Sequence, residues 1–321
     1  MHGELNKRVV AQLGSGIRRI AIFGTGLIGA SIGLALREAG YTGVILGWDP
    51  EQAMLARARA MGAIDQVVAG DADDDPFVCA LAADVIVLAG PVFTIAEWLE
   101  QLAPVLSPTQ LVTDVGSVKG FLVQRAAALY NGDDQASWLP GHPMAGKETS
   151  GAASAEAALF KGATWLFTGA RSGKDSTLPE HPYLAEWLRW VEQFGARAVV
   201  LTPERHDLLC ASVSHLPQML SSAFASMLQQ QFEREFVGEE AALHGIGGRA
   251  LREMTRLGAS PYSMWRDIAM TNEGAIAASL LAMEQELAHL RENLRTAELR
   301  ELFAQANAFR AALIAASVPK A

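Results

Sequence analysis

The chain has 321 residues, half of them hydrophobic and 19% charged, with a formal net charge of −9. That length suits about two domains of roughly 150 residues each; the composition excludes a disordered chain and makes large buried cores easy to build, and the acidic balance argues against nucleic-acid binding, which needs a basic footprint. Two cysteines, Cys79 and Cys210, exclude a disulfide scaffold and point to a reducing, cytoplasmic compartment.

Residues 1–16 lack the apolar core of a secretory signal. Runs 20–23, 44–48, 85–89 and 111–113 are rich in Ile, Val and Leu, as strands buried on both faces of a parallel sheet are. Between them, 27–39, 51–61, 94–106 and 119–130 have helical spacing and length. This alternation predicts βαβ crossovers and an α/β, doubly wound (Rossmann-type) domain. Further strands are expected at 138–139, 164–168 and 196–201, with a helix over 183–194. The acidic run 71–75 and the polar stretch 171–182 read as solvated loops.

Pro203 reads as the first residue of a helix capped by Thr202. From there to residue 316 the pattern is helical, broken near Gly238, at 245–248 and at 258–261. The expected division is a dinucleotide-binding domain over 1–202 and an all-helical substrate and dimerisation domain over 203–321. The stretch 208–232 carries no formal charge, but His215, Pro217, several serines and three glutamines mark it as a buried helix pair rather than a bilayer span. Helices over 276–294 and 299–316 carry long Leu/Ala/Met faces, which we read as a homodimer surface; closing an intrachain bundle is the alternative.

Gly24-Thr25-Gly26-Leu27-Ile28-Gly29 fits G-x-G-x-x-G. It follows a strand, opens a helix and is followed by Asp49 at the end of the second strand, a context that marks a dinucleotide site. Gly24 permits the tight turn, Gly26 clears the way for a pyrophosphate, and Gly29 allows close helix–strand packing, while the helix N-terminus with Leu27 and Ile28 offers free N–H groups. The Asp49 carboxylate accepts from both ribose hydroxyls and repels a 2′-phosphate, so NAD is expected over NADP. The plainer readings are a strand–helix turn for the glycines and a helix cap before Pro50 for Asp49; FAD fits the same pattern, with nothing else in the chain to favour it.

Ligands in open parallel sheets sit beyond the carboxyl ends of strands. Two polar motifs lie there: residues 114–119 (DVGSVK) and 141–146 (GHPMAG). His142 precedes a proline, which holds it extended, on what reads as a glycine-flanked loop suited to acid–base work; a histidine bonding a loop carbonyl is the bland alternative. Ser214-His215-Leu216-Pro217-Gln218 puts a proline in a helical pattern, so a kink is expected, either aiming polar side chains into a cleft or forming a buried helix contact. Glu253, Arg256 and Ser260 line up at helical spacing; Arg256 suits bidentate binding of a carboxylate, or an i,i+3 pair with Glu253. No metal is expected: H-E-x-x-H and C-x-x-C are absent, and His206 with Cys210 supplies two ligands only, so His206-Asp207 reads as structural.

Together these residues resemble the prephenate/arogenate (cyclohexadienyl) dehydrogenases of tyrosine biosynthesis. The resemblance runs over nearly the whole chain from about Arg18, in residues 24–31, 114–119, 141–151, 206–217 and 247–268. Its most specific parts are Gly-His-Pro-Met-Ala-Gly followed by Glu148 and Ser150-Gly151, and then Ser-His-Leu-Pro. It implies oxidation at ring C4 of a cyclohexadienol, with hydride passing to NAD and loss of carbon dioxide aromatising the ring. By similarity His142 accepts the hydroxyl proton and Ser117 bonds the same hydroxyl beside the nicotinamide. Arg256 matches the arginine that grips the ring carboxylate, and His215 lies near the substrate side chain. Ser260 and Trp265 shape the pocket, the tryptophan arriving from the other subunit in one arrangement. Gln218 is a candidate to sense whether that side chain is the keto acid of prephenate or the amino acid of arogenate, a choice left open.

The family usually has aspartate where Glu253 stands. The length leaves no room for an appended mutase or amino-acid-binding domain, so tyrosine feedback, if present, would act at the active site. Two other readings are weighed. A β-hydroxyacid-type dehydrogenase relies on a helical-domain lysine, and none occurs between Lys174 and Lys320. A non-catalytic NAD-binding dimeric regulator would not need Ser117, His142, His215 and Arg256 together.

Overall fold

Strands β1 (Arg19–Phe23), β2 (Val44–Trp48), β3 (Gln66–Val67), β4 (Val85–Leu88), β5 (Leu111–Asp114) and β6 (Ser137–Leu139) form one parallel sheet in the order β3-β2-β1-β4-β5-β6. This is the doubly wound order with its switch point between β1 and β4. These features come from a computed structural model that describes residues 16–67, 80–130, 132–170 and 176–317; the N-terminal residues 1–15, the acidic run 71–75, Cys79 and the start of the polar loop 171–182 lie outside the described residues. Ile20, Ile22, Val85, Val87 and Leu111 are fully buried in the core, which is why these strands read as unbroken apolar runs. β3 is two residues long, with Gln66 exposed and Val67 half-buried, too short to leave a periodic signal.

Helices α1 (Leu27–Glu38), α2 (Gln52–Ala60), α3 (Val92–Leu102) and α4 (Gly120–Ala126) follow β1, β2, β4 and β5. α3 starts two residues before the expected position, directly after Pro91, and α4 passes into a 3₁₀ turn at Ala127–Leu129.

The later strands do not extend this sheet. β7 (Gly141–Pro143), β8 (Thr164–Thr168) and β9 (Arg197–Leu201) make a separate three-stranded sheet, β7-β8 antiparallel and β8-β9 parallel. Pro140 is the joint: having no N–H it cannot continue the ladder, and its carbonyl accepts from Thr168 N at 3.0 Å. Trp165, Phe160, Phe194 and, from α5 (Leu184–Gln193), Trp187 and Val191 fill the adjoining core.

From Pro203 onward every described element is helical. α6 (Pro203–Cys210) is capped as the sequence suggests, Thr202 Oγ1 accepting from Arg205 N at 3.2 Å. At Pro217 the expected disturbance of the helix takes the form of a widened turn. A π-turn at Ala211–His215 leads into α7 (Leu216–Glu235), with right-handed helical angles at Cys210 and Leu216 on either side. The wider turn directly before Pro217 accommodates the missing N–H. α8 (Glu240–Thr255) contains a break at Gly248 (φ 53°, ψ −142°), followed by a 3₁₀ turn (Arg256–Ala259) and α9 (Tyr262–Thr271).

The chain forms two compact units, Met1–Glu273 and Gly274–Ala321. The second is made of α10 (Glu273–Glu292) and α11 (Ala297–Ser317), on which Leu281, Leu287, Phe303 and Phe309 are exposed. Among the described residues no helix is long and apolar enough to cross a membrane, which disposes of the uncharged stretch 208–232 as a span.

Candidate active site

The glycine-rich turn joins β1 to α1. Gly24 has φ 87°, and a Cβ there would lie 2.4 Å from Ala89 O; at Gly29 it would lie 1.9 Å from Gly24 O. Both positions therefore exclude a side chain, one through its turn and one through close helix–strand approach. A Cβ on Gly26 would meet nothing within 4 Å. The space beside the N-terminus of α1 is open, and no side chain caps the helix there, which fits the pyrophosphate of a dinucleotide. Leu27 and Ile28 are its first helical residues. Asp49, 9% exposed just past β2, accepts from Thr25 N at 2.7 Å and Thr25 Oγ1 at 3.2 Å through Oδ2, and from Glu51 N at 2.9 Å through Oδ1. It braces the glycine-rich turn and closes the turn at Pro50, with lone-pair capacity left on Oδ1.

At the end of β5, Asp114 and Lys119 are both fully buried. Lys119 Nζ pairs with Asp114 Oδ1 and donates to Gly141 O at 2.5 Å. Trp138 Nε1 donates to Asp114 Oδ2 at 3.1 Å and Gly116 N to Oδ1 at 2.8 Å. Burial pulls the Lys119 ammonium below its usual range and Asp114 opposes that pull. The pair ties the tip of β5 to the residue before His142. Half-buried Ser117 lies in the turn that it closes.

His142 is in strand β7, not on a loop, and is aligned with Leu166 of β8. Short strands flanked by glycine and proline are indistinguishable from loops by periodicity. Its Nδ1 lies 2.9 Å from His206 Nε2, and His206 Nδ1 lies 2.8 Å from Asp207 Oδ1. Asp207 in turn accepts from Lys119 N and Gly120 N, each at 2.8 Å. A carboxylate only accepts, so His206 carries its proton on Nδ1 and accepts at Nε2. His142 must then donate from Nδ1, which leaves the lone pair on Nε2. Burial, with His206 and Lys119 adding to it, holds His142 well below the usual imidazole range. Burial also lowers His206 against the opposing bond to Asp207, and lowers His215 to about 4. Asp207 is thus structural, as the sequence suggested, and His206-Asp207 also orients His142.

Arg256, in the 3₁₀ turn after α8, pairs with Glu148, six residues beyond His142. Glu253 pairs instead with Arg249, Nε to Oε1 at 2.6 Å, so the simple i,i+3 reading of Arg256 does not hold. Gln218 is buried, and its Nε2 donates to Leu257 O at 2.7 Å and Ser222 Oγ at 3.2 Å; it props the turn that carries Arg256. His215 Nδ1 is 3.3 Å from Asn272 Nδ2, and Trp265 meets the imidazole edge-on at 5.8 Å, so no second copy is needed to bring Trp265 to His215. Ser260 closes the 3₁₀ turn, its N–H on Leu257 O at 3.0 Å. Sequence reasoning missed the roles of Lys119, Asp114 and Glu148 as braces. The adjacency of Asp114 to Lys119 in one motif was the available signal.

The family model described as prephenate dehydrogenase, nucleotide-binding domain, matches residues 32–200, and that described as prephenate dehydrogenase, dimerization domain, matches residues 202–307. The prephenate dehydrogenase of Lactococcus lactis subsp. cremoris is 31% identical over 257 residues, 80% of this chain; the chain spans 65% of that relative's length. A crystal structure of prephenate dehydrogenase from A. aeolicus, in complex with hydroxyphenyl propionate and NAD+, superposes with a TM-score of 0.80 at 28% identity, covering 94% of this chain and 100% of that one. Synechocystis arogenate dehydrogenase gives 0.71 at 30% identity, covering 92% and 99%. The two matches, together spanning most of the parallel-sheet and helical halves, mean that this chain belongs to the prephenate dehydrogenase family.

Proposed function

We propose that the protein oxidatively decarboxylates prephenate, arogenate or both, with NAD as hydride acceptor. The observation that carries this reading is the chain Asp207–His206–His142, which leaves His142 Nε2 as a fixed acceptor beyond the carboxyl ends of the parallel strands. The NAD+ and hydroxyphenyl propionate bound to the A. aeolicus relative support the same cofactor and a substrate with a six-membered ring. The division into a dinucleotide-binding part over 1–202 and a helical part over 203–321 belongs to this reading.

NAD supplies an acceptor for the hydride from ring C4. Gly24, Gly26, Leu27, Ile28 and Gly29 hold its pyrophosphate at the N-terminus of α1, and Asp49 takes the adenosine ribose. His142 Nε2 accepts the proton of the C4 hydroxyl, and Ser117 bonds that hydroxyl and keeps it in line. Arg256 binds the ring carboxylate in place of Glu148. His215, Ser260 and Trp265 shape the wall around the ring, and Gln218 stands beside the substrate side chain. Aromatisation drives loss of carbon dioxide once C4 is oxidised.

Arg256→Gln is expected to raise KM about 10- to 100-fold with kcat nearly kept, the value of a charge-assisted contact to a carboxylate. An equal loss in kcat would remove Arg256 from the binding role. Reduction of NAD, followed by absorbance with prephenate and with arogenate on one preparation, tests the activity and ranks the two side chains; no reduction with either ends the proposal. The exposed Leu and Phe residues of α10 and α11 and the family's dimerization domain support a homodimer, and the low cysteine content supports a reducing, cytoplasmic setting. Sedimentation at micromolar concentration is expected to give twice the chain mass, and a stable monomer would refute it.

A further inference from the structure

His206 and Cys210 stand one turn apart on α6 and by themselves offer two donors. The fold adds a third. Among the described residues, the ligand atoms of His142, His206 and Cys210 converge within 4.8 Å of one another, all three side chains buried. We propose that His142 Nδ1, His206 Nε2 and Cys210 Sγ form a site for a divalent ion of borderline softness, zinc in particular, and that occupancy switches the dehydrogenase off.

The spacing matches such an ion. With metal–nitrogen bonds of about 2.0–2.1 Å and a metal–sulfur bond of about 2.3 Å, a tetrahedron has edges of roughly 3.4 Å between nitrogens and roughly 3.6 Å between nitrogen and sulfur. The separations are 2.9 Å from His142 Nδ1 to His206 Nε2, 3.6 Å from Cys210 Sγ to His206 Nε2 and 3.9 Å from Cys210 Sγ to His142 Nδ1. Both nitrogen–sulfur edges are within a few tenths of an ångström, and the nitrogen pair has only to open by about half an ångström.

The hydrogen-bond contacts of Cys210 Sγ, 3.6 Å to His206 Nε2 and 3.9 Å to His142 Nδ1, are weak ones. The lone pair of His206 Nε2 already receives the His142 N–H, and His142 Nδ1 is a donor, so the thiol has no vacant acceptor on either ring. The surroundings also have the second layer of a metal site. A ligating histidine characteristically donates its other N–H to a carboxylate, and His206 Nδ1 does so to Asp207, itself held by two backbone N–H groups. The charges close: a dication, the Cys210 thiolate and the Asp207 carboxylate sum to zero, and Lys119 is neutralised by Asp114.

Binding releases one proton, from the Cys210 thiol, as the metal–sulfur bond forms. The His142 proton moves from Nδ1 to Nε2 as Nδ1 takes up the ion. His142 Nε2 then has a hydrogen and no lone pair, and cannot accept from the substrate hydroxyl. The effect on turnover rests on His142 being the base; ion binding does not.

The test uses the full-length chain, first freed of metal with a chelator. One equivalent of Co²⁺ is expected to produce a thiolate-to-cobalt charge-transfer band in the near ultraviolet, lost on adding Zn²⁺ and absent in Cys210→Ala but kept in Cys79→Ala. Cys210→Ser, a smaller perturbation of the packing, must also lack the full band if Cys210→Ala folds poorly. Zn²⁺ is expected to lower wild-type turnover at least about tenfold, reversibly with chelator, and to do so at least about tenfold less effectively in Cys210→Ala. No band, or a band that survives both Cys210 variants, overturns the site. A Cys210-dependent band with unchanged turnover upholds the site and overturns His142 as the base.

Discussion

Replacing His142 with asparagine is expected to lower kcat by about two to four decades, the usual worth of a positioned acid–base group. The asparagine amide can still donate toward His206 Nε2, so the Asp207–His206 arrangement persists. What disappears is the lone pair on Nε2. Because Arg256 and the dinucleotide turn are untouched, KM is expected to change little, and the loss falls on the transition state. Steady-state kinetics with prephenate and with arogenate check this, alongside a melting curve that stays near wild type. A loss in kcat smaller than about tenfold would show that the proton leaves by another route.

The second large effect is on stability. Lys119→Met is expected to cost about 3–5 kcal/mol, because it leaves the Asp114 carboxylate buried without its cation. Both side chains are inaccessible to solvent, so water does not replace the lost partner. Asp114 would keep Trp138 Nε1 and Gly116 N, which moderates the loss without neutralising the charge. Denaturant titration measures it, and the double variant Asp114→Asn/Lys119→Met is expected to recover much of it, since the amide is neutral. A single-variant cost below about 1 kcal/mol would mean that the pair has no structural weight. Lys119 Nζ also holds Gly141 O, so the variant that folds should also lose turnover through a displaced His142.

What could be read from residue order alone was local. The turn at Gly24–Gly29 is legible because Gly29 answers to an atom five residues away and Gly24 to one just past the adjacent strand, and the Thr202 cap because its partner is Arg205. The parallel strands are legible because burial on both faces leaves unbroken apolar runs. His142 and His206 are 64 residues apart, and nothing in either neighbourhood signals the other. Their meeting depends on the chain leaving the first sheet at Pro140 and on α6 docking its first turns beside β7. Glu148 and Arg256 are similarly remote. At Pro217 the local rule applied: proline disturbs the helix, and the disturbance takes the form of a widened turn at Ala211–His215, a form that the residue order did not specify.

That widened turn sets the angular phase between two groups of side chains. Each residue of an α-helix advances the face by about 100°. The extra residue within 211–215 therefore fixes where His215 and Gln218 point relative to His206, Asp207 and Cys210. Deleting one residue there would restore an ordinary helix and swing one group about 100° around the axis from the other. The length of this segment is consequently far less free to drift than its composition: Ala211, Ser212 and Val213 can be exchanged for other residues more readily than any one of them can be lost.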